Sequence, residues 1–396
     1  MTERSGDRLL ETAGTLSETV LGRWAAEVDR EGRFPRESLA ALREAGLMSY
    51  FVPARLGGAG GDLANFARIA SLLGEGCLST AMIWAMHGQQ VASLADHAAE
   101  SHGGLLEEFA REGMVVGSVT SEFGKGGDLL TALAPLVAED GGYRVRRAAP
   151  IVTAGGEAGV YLVTMRAGKD VPTSDVRLVC VRPEDGAVTV EGGWDAMGMR
   201  GTTSVPMKLD VRVAAERVLA TPFRAIAVQS MIPVGHVGWV ASWFGAARGA
   251  VRRAVRALRR RAAKGGRPLN SELLLDRLAG VRVSLDLIES LLGRVAAELD
   301  GLRAAGAPFA AYQDIRLNIL INNLKVAGST LAFSVADRLV ELMGLNDGYL
   351  RGGELGLERT FRDLRSAALM FSNDRLLAAN GKLMLVEGSG LSGLFG

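Results

Sequence analysis

The feature that most restricts how this 396-residue chain can fold is a change of hydrophobic period in its middle. Val205, Met207, Leu209, Val211 and Val213 alternate with Pro206, Lys208, Asp210 and Arg212. That two-residue repeat is a strand with one buried face, with its proline at an edge or a start. Val160-Tyr161-Leu162-Val163 and Val176-Arg177-Leu178-Val179-Cys180-Val181 are further strands, and Glu184-Asp185-Gly186 is a turn signal. Before and after this stretch the apolar residues recur at helical spacing. The predicted order is helices, a small all-β unit, then a helical bundle: an α+β chain with units at 1–118, 119–224 and 225–396. A chain of this length buries a large core and divides into more than one unit.

In the first unit Leu39, Leu42 and Ala45 share a helical face after Pro35 at a first-turn position, and Gly46 ends the helix. Phe51-Val52-Pro53 and the glycines from Gly57 to Gly61 form a loop, and helices resume near Leu63. Leu72, Leu73 and Ala81-Met82-Ile83-Trp84-Ala85-Met86 read as buried, and core packing is the simpler reading of Trp84, Met86 and His87. In the last unit breaks fall near Gly265-Gly266-Arg267-Pro268, Ala305-Gly306-Ala307-Pro308 and Asn346-Asp347-Gly348, and the segment from Leu273 to Leu299 is amphipathic.

Composition excludes several classes. A net charge of +1 with 22% charged residues gives no general attraction to nucleic acid. Arg248, Arg252, Arg256 and Arg260 recur at helical spacing, joined by Arg253, Arg259, Arg261 and Lys264, but a solvated helix face or a phosphate contact explains them better than a DNA footprint. Cys77 and Cys180 sit among apolar neighbours as inert thiols. His87, His97, His102 and His236 have no metal-site spacing, so no metal is expected. The N-terminus shows no apolar signal core, and no apolar run approaches the roughly 20 residues of a membrane span, so a cytoplasmic protein off the membrane is expected.

The candidate functional element is Ser121-Glu122-Phe123-Gly124-Lys125-Gly126-Gly127-Asp128, which follows the apolar run Val115-Val116-Gly117-Ser118-Val119-Thr120. Its glycines let the backbone approach a bulky ligand and accept positive φ, and exposed N–H groups in such a loop suit carbonyl, phosphate or flavin oxygens.

Several motifs in sequence resemble the acyl-CoA dehydrogenase family. Phe34-Pro35, Gly46-Leu47, Val52-Pro53 and Gly57-Gly58-Ala59-Gly60 look like its N-terminal pattern. Ser121 to Asp128 is similar to its Thr-Glu-Pro-Gly-x-Gly-Ser-Asp loop, and Ile151-Val152-Thr153-Ala154-Gly155-Gly156 to its Trp-Ile-Thr-Asn-Gly segment. Met197-Gly198-Met199-Arg200-Gly201-Thr202-Thr203 resembles its Gly-x-Arg-Gly-Ser turn, and Leu357-Glu358-Arg359 with Arg362-Asp363 its late helix. The resemblance implies an N-terminal α-helical domain, a middle β-barrel domain and a C-terminal four-helix bundle. It also implies FAD, with FMN as the alternative, and a homotetramer or dimer. Carried onto this chain, Thr120, Ser121, Gly126, Gly127, Val152, Thr153, Asn373 and Arg375 would contact the cofactor, with Thr120 and Ser121 at the pyrimidine edge and Thr153 beside N5. Protein groups of this kind orient the flavin, which supplies the redox chemistry.

Two departures shape the expected function. The family's usual base is a glutamate in a Tyr-Glu-Gly-Thr segment, and here Met370-Phe371-Ser372-Asn373 puts Phe371 in its place. The minority position, at the start of the first long bundle helix, holds Trp239. Phenylalanine cannot accept a proton, and loss of a general base costs about 10²–10⁴ in rate; Glu122, Asp374 and His236 are the remaining candidates. The second departure is in cofactor grip. The Arg-x-x-Phe-Gly turn reads Arg261-Ala262-Ala263-Lys264-Gly265-Gly266-Arg267 without its Phe, and the Gln of Gln-x-x-Gly-Gly becomes Glu341 with only Gly344 kept. Both departures suit a flavin monooxygenase or oxidase of specialised metabolism that receives reduced flavin from a separate reductase. Trp84, Met86, His87, Trp239, Met370 and Phe371 would line its substrate pocket. The alternative is a dehydrogenase acting on an acyl-CoA or acyl-carrier thioester with a relocated base. A non-catalytic DNA-binding homologue is the remote third reading.

Overall fold

The computed structural model describes residues 3–265 and 269–387. Six α-helices come first: α1 (Glu3–Leu16), α2 (Gly22–Glu31), α3 (Arg36–Glu44), α4 (Leu63–Gly76), α5 (Leu78–His97) and α6 (Gly103–Glu112). α3 ends as its sequence requires, with Gly46 in the left-handed region at φ 72°. α4 starts at Asp62, whose carboxylate accepts from Asn65 N at 2.7 Å. α5 is buried on nearly every side, including Trp84, His87, Gln89 and Gln90. Both cysteines are buried and free, and burial pushes the Cys180 thiol up to about 12, so the expectation of inert thiols holds.

Seven strands follow: β1 (Val116–Val119), β2 (Val137–Glu139), β3 (Gly142–Val152), β4 (Val160–Arg166), β5 (Val176–Val181), β6 (Gly186–Val190) and β7 (Val205–Ala214). They form two sheets, of order β1-β4-β5 and β2-β3-β7-β6. β1 pairs parallel to β4, and β7 buries alternate residues along its whole length, as its sequence predicts. The β3–β7 register shifts between Ala149 and Val152. Pro150 lies in that interval and has no N–H to give the ladder. The shift turns Ile151 outward and delivers Val152 and Thr153 to the sheet end beside the glycine loop.

The C-terminal unit contains α7 (Phe223–Ile226), α8 (Ile232–Ala263), α9 (Glu272–Ala304), α10 (Phe309–Tyr312), α11 (Ile315–Gly344), α12 (Leu357–Arg365) and α13 (Asn373–Glu387). The long helices α8, α9 and α11 pack together, with α13 against α11 as the fourth member of the bundle. The turn at Gly266, Arg267 and Pro268 lies outside the described residues. α8 also packs on α4, and there a side chain has no room. A Cβ on Gly245 would lie 1.9 Å from Ser71 O, and one on Gly74 2.4 Å from Ser242 O. This close backbone approach seats the first helical unit on the bundle.

One expectation is corrected. The segment Ile315–Tyr349, α11 with its continuation, is long and apolar enough to cross a membrane by length and composition. Its apolarity has another cause here: it touches α8, α9, α12 and α13, and so has protein on several faces. The arginine stripe of α8 is largely spoken for. Arg248 and Arg252 reach Glu75 at 2.6 and 2.7 Å, Arg253 Nε donates to Leu355 O at 2.8 Å, and Arg261 pairs with Asp347.

Candidate functional site

Beyond β1 the chain enters the glycine loop, where Gly124, Gly126 and Gly127 adopt φ of 76°, 67° and 78°. At those angles a side chain would be strained, so the residue type follows from the backbone path. The Ser121 hydroxyl donates to Ile151 O at 2.7 Å and ties the loop to the displaced end of β3. Glu122 fixes the loop from the other side. Its carboxylate accepts from Leu133 N and Ala134 N, both at 2.8 Å, and lies 2.7 Å from Nη1 of the buried Arg147. With its oxygens engaged in this way, Glu122 serves the shape of the loop rather than proton transfer.

Thr153 continues the polar edge. Its Oγ1 is 3.0 Å from Ser204 Oγ, which is 2.8 Å from Thr202 Oγ1, which donates to Met199 O at 2.8 Å. The Met197–Thr203 turn is held in turn by α12. Met199 N donates to Asp363 at 2.6 Å, and Arg362 donates to Met197 O at 2.9 Å while pairing with Asp29 at 2.6 Å. Burial raises the Asp363 carboxyl to about 6. Three segments distant in sequence therefore meet at one edge. Phe123 and Ile151 stand 62% and 52% exposed beside it, and the glycine loop leaves open space above Gly126. An uncovered apolar surface beside a row of hydroxyls and backbone amides fits a flat heteroaromatic ring with a polar rim, which is the shape and chemistry of a flavin.

From the far end of the chain, the Arg375 guanidinium lies against this loop, 3.2 Å from where a Gly127 Cβ would be. Asn373 is placed differently: its Oδ1 accepts from Lys325 Nζ at 2.7 Å and its Nδ2 donates to Ser329 Oγ at 3.0 Å, so its polar atoms are engaged inside the bundle. Asp374 is exposed at the start of α13.

Phe371, His236 and Trp239 do come together. The Phe371 ring centroid is 5.8 Å from His236, which is 5.5 Å from Trp239. Phe371 itself is held at φ 50°, a conformation a phenylalanine adopts at a cost. Burial pushes His236 down to about 3, so it is neutral at physiological pH, and its Nδ1 contacts Ile321 O at 3.3 Å. Trp84 and His87 are tied elsewhere. Trp84 Nε1 donates to Leu47 O at 2.9 Å, with its ring 4.8 Å from Phe66. His87 Nδ1 accepts from Val116 N at 3.0 Å, which leaves Nε2–H to donate to Met48 O at 2.6 Å; burial pushes this ring down to about 4. These two side chains join α5 to the loop after α3 and to β1. Met86 and Met370 are half-buried.

Three cations were given no role by sequence reasoning. Lys325 is fully buried, donates to Phe371 O at 3.0 Å and to Asn373, and lies 5.9 Å from the Trp243 ring centroid. Burial alone pushes its pKa down to about 8. A lysine amid Ile321, Leu324, Gly328 and Ser329 on the inward stripe of α11 was the available signal. The others are Arg147 and Lys125, both directed at the Thr120 carbonyl.

Comparison with known proteins agrees with this architecture. The family model described as acyl-CoA dehydrogenase, N-terminal domain, matches residues 5–102, and that for the acyl-CoA dehydrogenase C-terminal domain matches residues 226–371. The chain is 24% identical over 362 residues to the short-chain specific acyl-CoA dehydrogenase of human mitochondria, covering 90% of this chain and 84% of that one. Among solved structures it is similar to butyryl-CoA dehydrogenase from Megasphaera elsdenii (TM-score 0.85, 19% identity, 97% and 99% of the two chains). It is also similar to the dibenzothiophene monooxygenase TdsC from Paenibacillus sp. A11-2 (TM-score 0.82, 21% identity, 96% and 97%). With two domain models matched in order and the site edge assembled from the motifs that first suggested it, the chain belongs to the acyl-CoA dehydrogenase superfamily of flavin-dependent oxidoreductases, whose cofactor is FAD, with FMN in some members.

Proposed function

We propose that this protein is a flavin-dependent monooxygenase or oxidase of specialised metabolism, acting on a small molecule with reduced flavin supplied by a separate reductase and with O₂ as co-substrate. The single observation that carries this reading is Phe371. By the motif resemblance it falls where the family has its catalytic carboxylate; it is held in the left-handed region, and packs its ring on a buried, neutral His236. The other candidate bases do not replace that carboxylate: Glu122 is engaged by Arg147 and two backbone amides, and Asp374 is exposed at the start of α13.

The residues fit a flavin. Thr120, Ser121, Gly126, Gly127, Val152 and Thr153 would hold its ring edge, with Arg375 reaching the same loop. Bound there, the cofactor supplies the redox step; the protein orients it and excludes water with His236, Trp239 and Phe371. Exposed Leu273, Val283 and Leu287 on α9 and Leu377 on α13 are the surface on which copies of this chain would associate, as a dimer or tetramer.

The dehydrogenase reading, on an acyl-CoA or acyl-carrier thioester, is favoured by one finding, the match to the short-chain dehydrogenase across most of both chains. One pair of experiments separates the two. A coupled assay with NAD(P)H, a flavin reductase and O₂ is expected to give substrate-dependent oxygenation, and anaerobic acyl thioesters are expected to leave the flavin unbleached. Bleaching by the wild type would reverse the conclusion. Bleaching gained only in Phe371→Glu would show a dehydrogenase site lacking its base.

A further inference from the structure

The glycine loop holds a concentration of charge that the architecture alone does not require. Lys125 Nζ donates to Thr120 O at 2.9 Å, and Arg147 Nη2 approaches the same oxygen at 3.4 Å. Two cations thus polarise one peptide group, the one joining Thr120 to Ser121. Arg147 has Glu122 as its carboxylate partner. Lys125 has none in contact among the described residues. Burial outweighs the pull of Glu122 and Asp128 and pushes its ammonium down to about 8, which leaves it charged at pH 7. Asp128 turns its carboxylate to Leu130 N at 2.9 Å, and Arg375 adds a third cation at Gly127. The loop therefore carries three cations against two carboxylates. Lys125 also stands at the open position of the Thr-Glu-Pro-Gly-x-Gly-Ser-Asp pattern, so its charge is a property of this chain and not of the loop's shape.

Oxidised flavin is neutral at its pyrimidine edge. Two-electron-reduced flavin ionises there readily, with its negative charge shared between N1 and the C2 oxygen. A fixed positive charge beside that edge discriminates between the two forms, since only one carries the complementary charge. We propose that Lys125, backed by Arg147 on the Thr120 carbonyl, sets the redox preference of this site and selects the reduced, anionic flavin. The inference rests on the flavin reading of the loop, with Thr120 and Ser121 at the pyrimidine edge, and deepens it: Lys125 is the specificity-determining residue for the redox state of the ligand.

The test is anaerobic titration of the purified full-length protein with FAD and FMN, each oxidised and dithionite-reduced, giving a ratio of dissociation constants that needs no substrate and no turnover. The wild type is expected to bind the reduced forms more tightly. Lys125→Met is expected to shrink that ratio on the order of tenfold, as for one partly buried charge acting across several ångströms, chiefly by weakening the reduced form. A tenfold change in ratio moves the bound two-electron potential by about 30 mV. Lys125→Arg should restore the ratio, and Lys208→Met, which removes an exposed charge on β7, should leave it unchanged. An unchanged ratio in Lys125→Met overturns the inference. So does equal loss of both forms, which would make the lysine a prop for the loop, and so does a wild type that binds neither form. The two proposals fail separately. A ratio that collapses in Lys125→Met without any oxygenation in the coupled assay sustains this inference and removes the monooxygenase reading; oxygenation with an indifferent ratio does the reverse.

Discussion

Replacing Glu122 by glutamine separates a scaffold residue from a catalytic base, because the structure fixes the size of the effect. Arg147 is wholly buried and the Glu122 side chain is 9% exposed, with 2.7 Å between them. Removing one partner of such a pair strands the other charge, at a cost of about 3–5 kcal/mol. Glutamine also offers one acceptor oxygen where the carboxylate serves Leu133 N and Ala134 N with two, so an amide is orphaned within the same structural change. A destabilisation of ~4 kcal/mol is therefore expected, seen as a fall in urea midpoint on the order of 1 M by circular dichroism. The double variant Glu122→Gln with Arg147→Met removes both charges and should recover most of that loss, since a buried pair replaced by matched neutral groups is close to neutral. The result that refutes this reasoning is a Glu122→Gln protein that unfolds at the wild-type midpoint yet loses turnover, because only a proton-transfer role would then remain for the carboxylate.

Two further expectations follow from the same packing. Lys325 has a folded-state pKa near 8 against about 10.4 in an unfolded chain, so its burial opposes folding at neutral pH by about 3 kcal/mol; this penalty is relieved as pH rises from 8 to 10.4. The stability of wild type minus that of Lys325→Met should be flat below pH 8 and climb through that interval, and a flat difference throughout would show that the ammonium is solvated. Gly245→Ala drives a methyl to within 1.9 Å of Ser71 O on α4, and a melting temperature within a degree of wild type would show that the α4–α8 approach is looser than described.

Much of the architecture was legible because it rests on short-range rules. Pro35 and Gly46 bracket α3, and the alternation from Val205 to Val213 is β7. The positive-φ glycines of the 121–128 loop were visible for the same reason: residue type and backbone angle are coupled locally. Pairings between distant residues were not legible. Glu122 and Arg147 lie on different elements, and nothing in either neighbourhood marks the other as its partner. Glu122 therefore looked available as a base until its ion pair was seen. His87 posed the converse problem, a histidine in a buried helix that could be either pocket lining or strut. Only the carbonyl of Met48 and the amide of Val116, from two other segments, show both ring nitrogens to be occupied. The apolar composition of α11 was overlooked in the sequence, although by length and composition it meets the hydrophobic requirement that a helix at the centre of a bundle shares with a helix in a bilayer.

On the proposed reading, two departures from the family pattern change the charge around the site. Where the family resemblance puts a carboxylate, this chain has Phe371, whose carbonyl accepts from buried Lys325. At the open position of the glycine-loop pattern it has Lys125, set on the Thr120 carbonyl with Arg147 behind it. The first change removes negative charge and proton affinity from the pocket, and the second adds positive charge at the cofactor edge. On the proposed flavin reading, both would raise the electrostatic potential at the bound cofactor. Loss of the carboxylate is unhelpful to a dehydrogenase, which needs a strong acceptor for the proton its substrate gives up, while the added cation serves any site that holds anionic reduced flavin; the two together suit a site that receives its flavin already reduced and keeps water out. Neither change achieves this alone: a cationic loop with the carboxylate kept would remain able to accept a proton, and an apolar wall with a neutral loop would have no hold on the reduced form. A Phe371→Glu variant with Lys125 intact should therefore also lose part of its reduced-flavin preference in the same anaerobic titration, and one that kept the wild-type ratio would show that the two positions do not act through a shared potential.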